Sequence, residues 1–235
     1  MHSFYFPDLQ AEELILDEEE SKHCIKVLRL REGDIIQLID GKGQVADARI
    51  EDAHPKKCRL QITSRTFVET KRNYKLHIAL APTKNAERLE WFVEKAVECG
   101  IDKITFIETQ HGERGRVNME RCHKIAVSAM KQSHQSWLPV LQSPLPLMDW
   151  IREAKGTRLM AACVAEANTD ITRFLLPSTD AFYSIAIGPE GDFNSEEIIS
   201  AQQAGFKLVT LGSSILRAET AALYACMATK ALHAK

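Results

Sequence analysis

The strongest constraint on the fold is the alternation of short apolar runs with helix-like stretches in the C-terminal part. Two glycine-bearing loops close the last two runs. The first loop reads Ile187-Gly188-Pro189-Glu190-Gly191-Asp192-Phe193 and follows the run Tyr183 to Ile187. The second reads Leu211-Gly212-Ser213-Ser214-Ile215-Leu216-Arg217-Ala218-Glu219-Thr220 and follows Phe206 to Leu211. Strands this dense in apolar residues are those covered on both faces, as in parallel sheets flanked by helices. Both loops then sit at the carboxyl ends of buried strands, where open α/β sheets take their ligands.

The same alternation starts earlier. Leu76 to Ala81 is an apolar run, and Asn85 can cap a helix that carries Leu89, Phe92, Val93, Ala96 and Val97 on one face and stops at Gly100. Ile101 to Ile107 is expected as the next strand, Asn118 to Ser133 as a helix, and Leu159 to Val164 as a further strand. Asn194 with Glu197 forms a capping-box pattern, with Phe193 and Ile198 as its hydrophobic staple. Phe206 to Leu211 is the last strand and Ala218 to His233 the last helix.

Residues 1–73 differ. Leu14 to Leu16, Asp34 to Ile39, Val45 to Ile50 and Lys57 to Ile62 are short, β-branched or alternating runs divided by turn signals, which predicts a small barrel. Ser21 to Leu30 is expected as a helix with Ser21 as its N-cap. Gly41 and Gly43 lack a third glycine and a following helix, so they predict a hairpin turn rather than a nucleotide loop. Val68 to Asn73 reads as a linker, giving a division into residues 1–70 and 74–235.

A formal net charge of −2 is not that of a strong nonspecific nucleic-acid binder, so the charge pattern matters more than the total. After an acidic run ending at Glu20 come Lys22, Lys26, Arg29 and Arg31 with no acid between them. A second basic stretch holds Lys56, Lys57, Arg59, Arg65, Lys71, Arg72 and Lys75. Such patches can bind phosphates, and they can equally be solvated strand edges. The six cysteines are scattered with no Cys-x-x-Cys pair, which points to reduced thiols and to no metal. No apolar run is long enough to span a bilayer and no signal-peptide core stands at the N-terminus, so the expected location is cytoplasmic with no membrane.

Glycines at 188 and 191 allow close main-chain approach and unusual φ, and Pro189 stiffens the turn between them. Leu211, Ile215 and Leu216 are apolar where a polar connection is ordinary, as if they covered a flat ligand. Arg217 and Glu219 stand beside them, either as a surface ion pair or as a functional pair in which Glu219 caps the last helix or orients Arg217.

These loops, together with His23, Val27-Leu28-Arg29, Gly33-Asp34, Lys84, Glu87-Arg88-Leu89-Glu90-Trp91, Lys95-Ala96 and Glu98-Cys99-Gly100, resemble the 16S ribosomal RNA (uracil-N3)-methyltransferase family of the SPOUT superfamily. The resemblance covers nearly the whole chain and departs from the family at His2, His111 (or Arg114), Lys131 to Gln135 and Asp192. It implies an α/β fold: a C-terminal trefoil-knot methyltransferase domain behind a small N-terminal PUA-like β-barrel that binds RNA. It implies S-adenosyl-L-methionine as cofactor, held by Ile187, Gly188, Pro189, Glu190 and Gly191 in the first loop and by Leu211, Gly212, Ile215, Leu216 and Thr220 in the second. Arg217 and Glu219 become the catalytic candidates, and Lys26, Arg29 and Arg31 the RNA contacts. The implied partners are 16S rRNA or the small ribosomal subunit and a second copy of the chain, and the wide apolar stripe of Leu223, Tyr224, Met227, Ala228 and Ala231 is consistent with a homodimer. The competing readings are a related SPOUT enzyme acting on another RNA, such as a tRNA ribose 2′-hydroxyl, and a non-catalytic RNA-binding protein of this fold.

Overall fold

The structure, a computed structural model, describes residues 2–70, 72–112, 117–164, 166–178 and 180–234. Its contacts divide into two compact units, residues 1–71 with 130–138, and residues 72–129 with 139–235. A single cut near residue 70 therefore omits the segment 130–138, which clusters with the first unit.

The first unit is built on β1 (Ser3–Tyr5), β2 (Glu13–Ile15), β3 (Ile35–Ile39), β4 (Gln44–Asp52) and β5 (Arg59–Phe67). They form one mixed sheet in the order β1-β3-β4-β5-β2. β3 and β4 pair antiparallel across the turn at Gly41 and Gly43, which take φ of 74° and 96°. Only glycine does this cheaply, and at Gly43 a side chain would also meet the Trp137 ring at 2.6 Å. The inward residues Phe4, Leu14, Leu16, Ile36, Leu38, Ile50 and Leu60 share one apolar core.

The helix expected from Ser21 begins earlier. α1 spans Glu18–Lys22, capped by Asp17, whose carboxylate accepts the Glu20 N–H at 2.8 Å, and a π-helical turn follows over His23–Val27. Glu18, Glu19 and Glu20 fill the first turn, where the helix dipole favours anions. Ser21 is instead buried. Its hydroxyl donates to the Leu16 carbonyl and accepts the Cys58 N–H, both at 3.0 Å.

The second unit holds β6 (Tyr74–Leu80), β7 (Lys103–Glu108), β8 (Val140–Pro146), β9 (Thr157–Ala161), β10 (Ala181–Ile187) and β11 (Lys207–Val209). Its sheet runs β11-β9-β10-β6-β7-β8, and every pair in it is parallel. All carboxyl ends therefore share one edge. The chain runs outward from β6 through β7 to β8, then returns to the other side for β9, β10 and β11, so the order reverses between β6 and β10. Crevices at such a reversal are where open α/β sheets place ligands.

α2 (Ala86–Cys99) is capped by Asn85, whose side chain accepts the Glu87 N–H, and ends at Gly100 with φ 85°. α5 (Ser195–Gln203) carries the full Asn194–Glu197 capping box. α3 (Met119–Gln132), α4 (Leu147–Glu153) and α6 (Ala218–His233) complete the helices. β8 and α4 were not legible in the sequence. β8 contains Pro144 and Pro146, which exclude a central strand but are tolerated at the sheet edge it occupies. β9 stops at Ala161 and β11 at Val209, both short of the expected ends, and Thr210 pairs instead with Asp170 in an isolated parallel bridge. No helix among the described residues is long and apolar enough to cross a membrane.

Candidate active site

Ile187 ends β10 with its carbonyl accepting the Ala81 N–H at 3.1 Å, so the first loop leaves the sheet beside the loop that follows β6. Gly188 and Pro189 are buried, whereas Glu190 and Gly191 are exposed. The glycines serve close packing rather than unusual φ, since neither adopts a left-handed backbone. A Cβ on Gly188 would lie 3.1 Å from the Phe193 ring, and one on Gly191 would lie 3.2 Å from Cβ of His111. The left-handed residue of this loop is Asp192, with φ 57°. Its carboxylate accepts the N–H of Cys163, 2.7 Å away across from the loop after β9, and the N–H of Phe193 at 2.9 Å.

His111 ties the loop after β7 to the first loop. Its Nδ1 lies 3.1 Å from the Gly191 carbonyl and 3.2 Å from that of Asp192. Both are acceptors, so Nδ1 carries the proton. The neighbouring Gln110 N–H donates to Glu197 Oε1 at 2.8 Å, joining the same loop to the start of α5. Arg114, the other candidate for this place, lies outside the described residues.

In the second loop Gly212 takes φ 111°, a conformation that side chains disfavour, and the Thr210 hydroxyl donates to its carbonyl at 2.9 Å. Thr210 also exchanges main-chain hydrogen bonds with Thr169 and Ile171, which fixes where the loop begins. Leu211 and Leu216 are half-buried, while Ile215 is 88% exposed and presents its apolar side chain outward. Arg217 is exposed and stands at the N-cap of α6 without a side-chain cap bond.

Glu219 occupies the first turn of α6 and is 6% exposed. Neither sequence reading of it holds, because it does not pair with Arg217 and does not cap the helix. Its Oε1 lies 3.9 Å from Nε of Arg88 in the first turn of α2, and its Oε2 is buried without a hydrogen-bond partner among the described residues. Successive turns of one helix start aim residues two apart in different directions. The packing of α2 against α6 supplies the cation instead.

Two cavities open at this edge. One of about 500 Å³ is lined by Lys84, Asn85, Arg88, His111, Glu190 and Gly191. The other, of about 400 Å³, is lined by Asn85, Glu87, Arg88, Trp91, Arg217, Glu219 and Thr220. Of the expected cofactor residues, Glu190, Gly191 and Thr220 line a cavity, while Ile187, Gly188, Pro189, Leu211, Gly212, Ile215 and Leu216 shape the loops behind and beside them. Arg88 lines both cavities and Trp91 one. The sequence reading names neither as a site residue, because nothing in the sequence states that β6 is the neighbour of β10.

In the first unit Lys26, Arg29 and Arg31 are all exposed. Arg29 has a left-handed backbone, φ 58°, and the Arg31 N–H donates to Asp34 at 2.7 Å. The second basic stretch is largely committed within the units. Arg65 pairs with Glu12 at 2.8 Å and donates to the Leu9, Gln10 and Ala11 carbonyls, and Arg72 pairs with Asp102 at 2.9 Å. Among the described residues no group of His, Cys, Asp and Glu converges as a metal site would.

Residues 70–230 match the RNA methyltransferase domain family and residues 16–63 the RNA methyltransferase PUA domain family. The chain is 30% identical over 212 residues to a ribosomal RNA small subunit methyltransferase E from Synechocystis sp., covering 88% of this chain and 69% of the relative. A probable rRNA-methyltransferase from Porphyromonas gingivalis has the same fold with a TM-score of 0.92 at 39% identity, covering 100% of this chain and 99% of that one. The ribosomal RNA small subunit methyltransferase E from Neisseria gonorrhoeae, solved bound to S-adenosyl methionine, gives 0.85 at 26%, covering 99% and 98%. By the extent of these matches, the chain belongs to the RNA methyltransferase family that includes the ribosomal RNA small subunit methyltransferases E.

Proposed function

We propose that this protein methylates small-subunit ribosomal RNA with S-adenosyl-L-methionine, and that the acceptor is N3 of a uridine in 16S rRNA. The observation that carries the reading is the placement of both glycine-bearing loops at the carboxyl edge of one parallel sheet, each lining one of two cavities that share Asn85 and Arg88, inside the segment that matches the RNA methyltransferase family. The residues suit such a cofactor. The exposed Ile215 with Leu211 and Leu216 would offer apolar cover for an adenine, and Gly191 and Gly212, exposed and without side chains, would let main-chain groups approach it. When bound, the cofactor supplies an electrophilic methyl group.

The protein's own part is to hold the base and its charge. N3 carries a proton and lies on the Watson–Crick edge, so the uridine has to be unpaired or turned out first. As that proton leaves, negative charge develops on the flanking carbonyl oxygens. The guanidinium of Arg217, brought to the base when it binds, stabilises this charge more in the transition state than before it. In this reading the first unit docks RNA through Lys26, Arg29 and Arg31, the second does the chemistry, and two copies associate through α6. That helix buries Ala222, Ala225 and Cys226 yet leaves Met227 56% exposed. A mass of one chain by light scattering at micromolar concentration removes the homodimer from the reading.

Mass-spectrometric mapping of 16S rRNA from cells lacking the protein, before and after incubation with the purified chain and the methyl donor, tests the reaction. The expected result is one uridine whose N3-methyl group is missing and then restored. Restoration at a ribose hydroxyl, or in tRNA alone, overturns the assignment.

A further inference from the structure

We propose that Arg88 is a second substrate-binding cation of this site, set on the uracil carbonyl that Arg217 does not take, and that Glu219 is the buried residue that positions it. The inference rests on the uracil-N3 reading above and deepens it.

N3 of uracil lies between two carbonyl groups. Loss of its proton spreads negative charge over both oxygens, so a single guanidinium leaves one of them uncompensated. The cavity of about 400 Å³ admits two arginines from separate elements, Arg217 before α6 and Arg88 in the first turn of α2. Trp91, one helical turn beyond Arg88, lines the same cavity and is 41% exposed, which presents a flat apolar face to a base turned out of its stack.

Glu219 explains how Arg88 is held. Its side chain is 7% exposed, and its Oε1 approaches Nε of Arg88 at 3.9 Å. Contact at Nε leaves the two terminal NH₂ groups of the guanidinium for a ligand, and Arg88 has no other side-chain partner among the described residues. Burying a carboxylate whose Oε2 has no hydrogen-bond partner among the described residues and whose Oε1 has only the ion pair with Arg88 is costly. The first turn of α6 offsets part of that cost, since the dipole there favours an anion. A carboxylate wanted only for the helix start would do as well in water. Placed beneath Arg88, it fixes a side chain that otherwise has many rotamers, and a fixed charge is what transition-state stabilisation requires.

The test is methylation of small subunits over a range of RNA concentrations at saturating cofactor, with single-turnover rates at saturating RNA. Arg88→Lys keeps a charge over Glu219 but loses the forked donor geometry. It is expected to lower kcat by about 10²-fold while leaving KM for RNA within about threefold and cofactor affinity by calorimetry unchanged. Glu219→Gln is expected to lower kcat by about tenfold in the parent and by less than about twofold in the Arg88→Lys background, since it acts through Arg88.

A raised KM with kcat intact would make Arg88 a phosphate contact and overturn the proposal. Parent-like rates overturn it too. Loss of cofactor affinity with a lowered melting temperature in both variants would make the pair structural, and Arg88→Gln is the second variant should Arg88→Lys fail to fold. Failure of the underlying reading is seen separately, in the parent's own product: if the parent yields no N3-methyluridine, the reaction assignment falls irrespective of any Arg88 variant.

Discussion

Replacing Asp192 by alanine should expose the main restraint on the first loop. Asp192 receives two N–H groups, from Cys163 at 2.7 Å and from Phe193 at 2.9 Å, while its backbone sits at φ 57°. A hydrogen bond to a charged acceptor contributes about 1.5 kcal/mol at the low end of its range, the end suited to a half-exposed carboxylate, so losing both costs about 3 kcal/mol. Alanine in the left-handed region adds about 1 kcal/mol that aspartate tolerates better. The sum, about 4 kcal/mol, corresponds to a melting shift of about 8–16 °C for a unit of this size. Asp192→Gly loses the same bonds without the backbone cost, so it should melt about 2–4 °C above Asp192→Ala. Asp192→Asn keeps one acceptor oxygen and should fall between glycine and the parent. Thermal melts of the four proteins at one pH measure the series. An alanine variant within a degree of the parent would refute the restraint, and equal melting of alanine and glycine would refute the backbone part of it.

Gly188→Val should abolish cofactor binding by calorimetry and lower the melting temperature, because its Cβ alone would sit 3.1 Å from the Phe193 ring, which is itself buried; undiminished affinity would remove this loop from the cofactor site. Arg29→Ala with Arg31→Ala should weaken binding to the small subunit and flatten its salt dependence by about 2 in slope, with cofactor affinity unchanged; equal loss of cofactor binding would give these arginines a structural role. His77 gives a pH prediction, since burial holds its pKa down to about 3. Trp150 Nε1–H donates to its Nε2 at 3.1 Å, a bond that protonation of that nitrogen would break. The unfolded chain takes up this proton below the ordinary histidine range near 6.5, whereas the folded chain does so only near 3. Stability is therefore full above about 6.5 and should fall on acidification towards 3, by about 1.4 kcal/mol per pH unit from this group. Urea midpoints across that window should slope less in His77→Gln, and an unchanged slope would mean that other groups dominate.

How much of this was legible in the sequence depended on whether the signal was local. Asn85 with Gly100 and Asn194 with Glu197 fixed the ends of α2 and α5, because a cap acts on its own helix. Ser21 misled because a hydroxyl before an apolar run is as suited to a buried bridge between Leu16 and Cys58 as to a cap, and Asp17 with three acids after it was the better start. β8 was invisible because Pro144 and Pro146 forbid a central strand, and only the sheet order shows that it lies at an edge.

The site divides along the same line. Both loops were found because glycine, proline and apolar residues mark them locally. Asp192, a departure from the commonest glycine of that loop, is explained once its backbone is seen to be left-handed and its carboxylate to hold Cys163. Arg88 and Glu219 are far apart in the chain and meet only because α2 follows β6, β6 adjoins β10, and α6 packs back against α2. Sequence adjacency instead suggested Arg217 for Glu219. Two residues apart at a helix start, those side chains diverge, and so the carboxylate found its cation on another helix. The consequence is electrostatic. An Arg217 tied to Glu219 would have had part of its charge spent within the protein, whereas the observed arrangement sets Glu219 beside Arg88 and leaves Arg217 exposed in the lining of the same cavity.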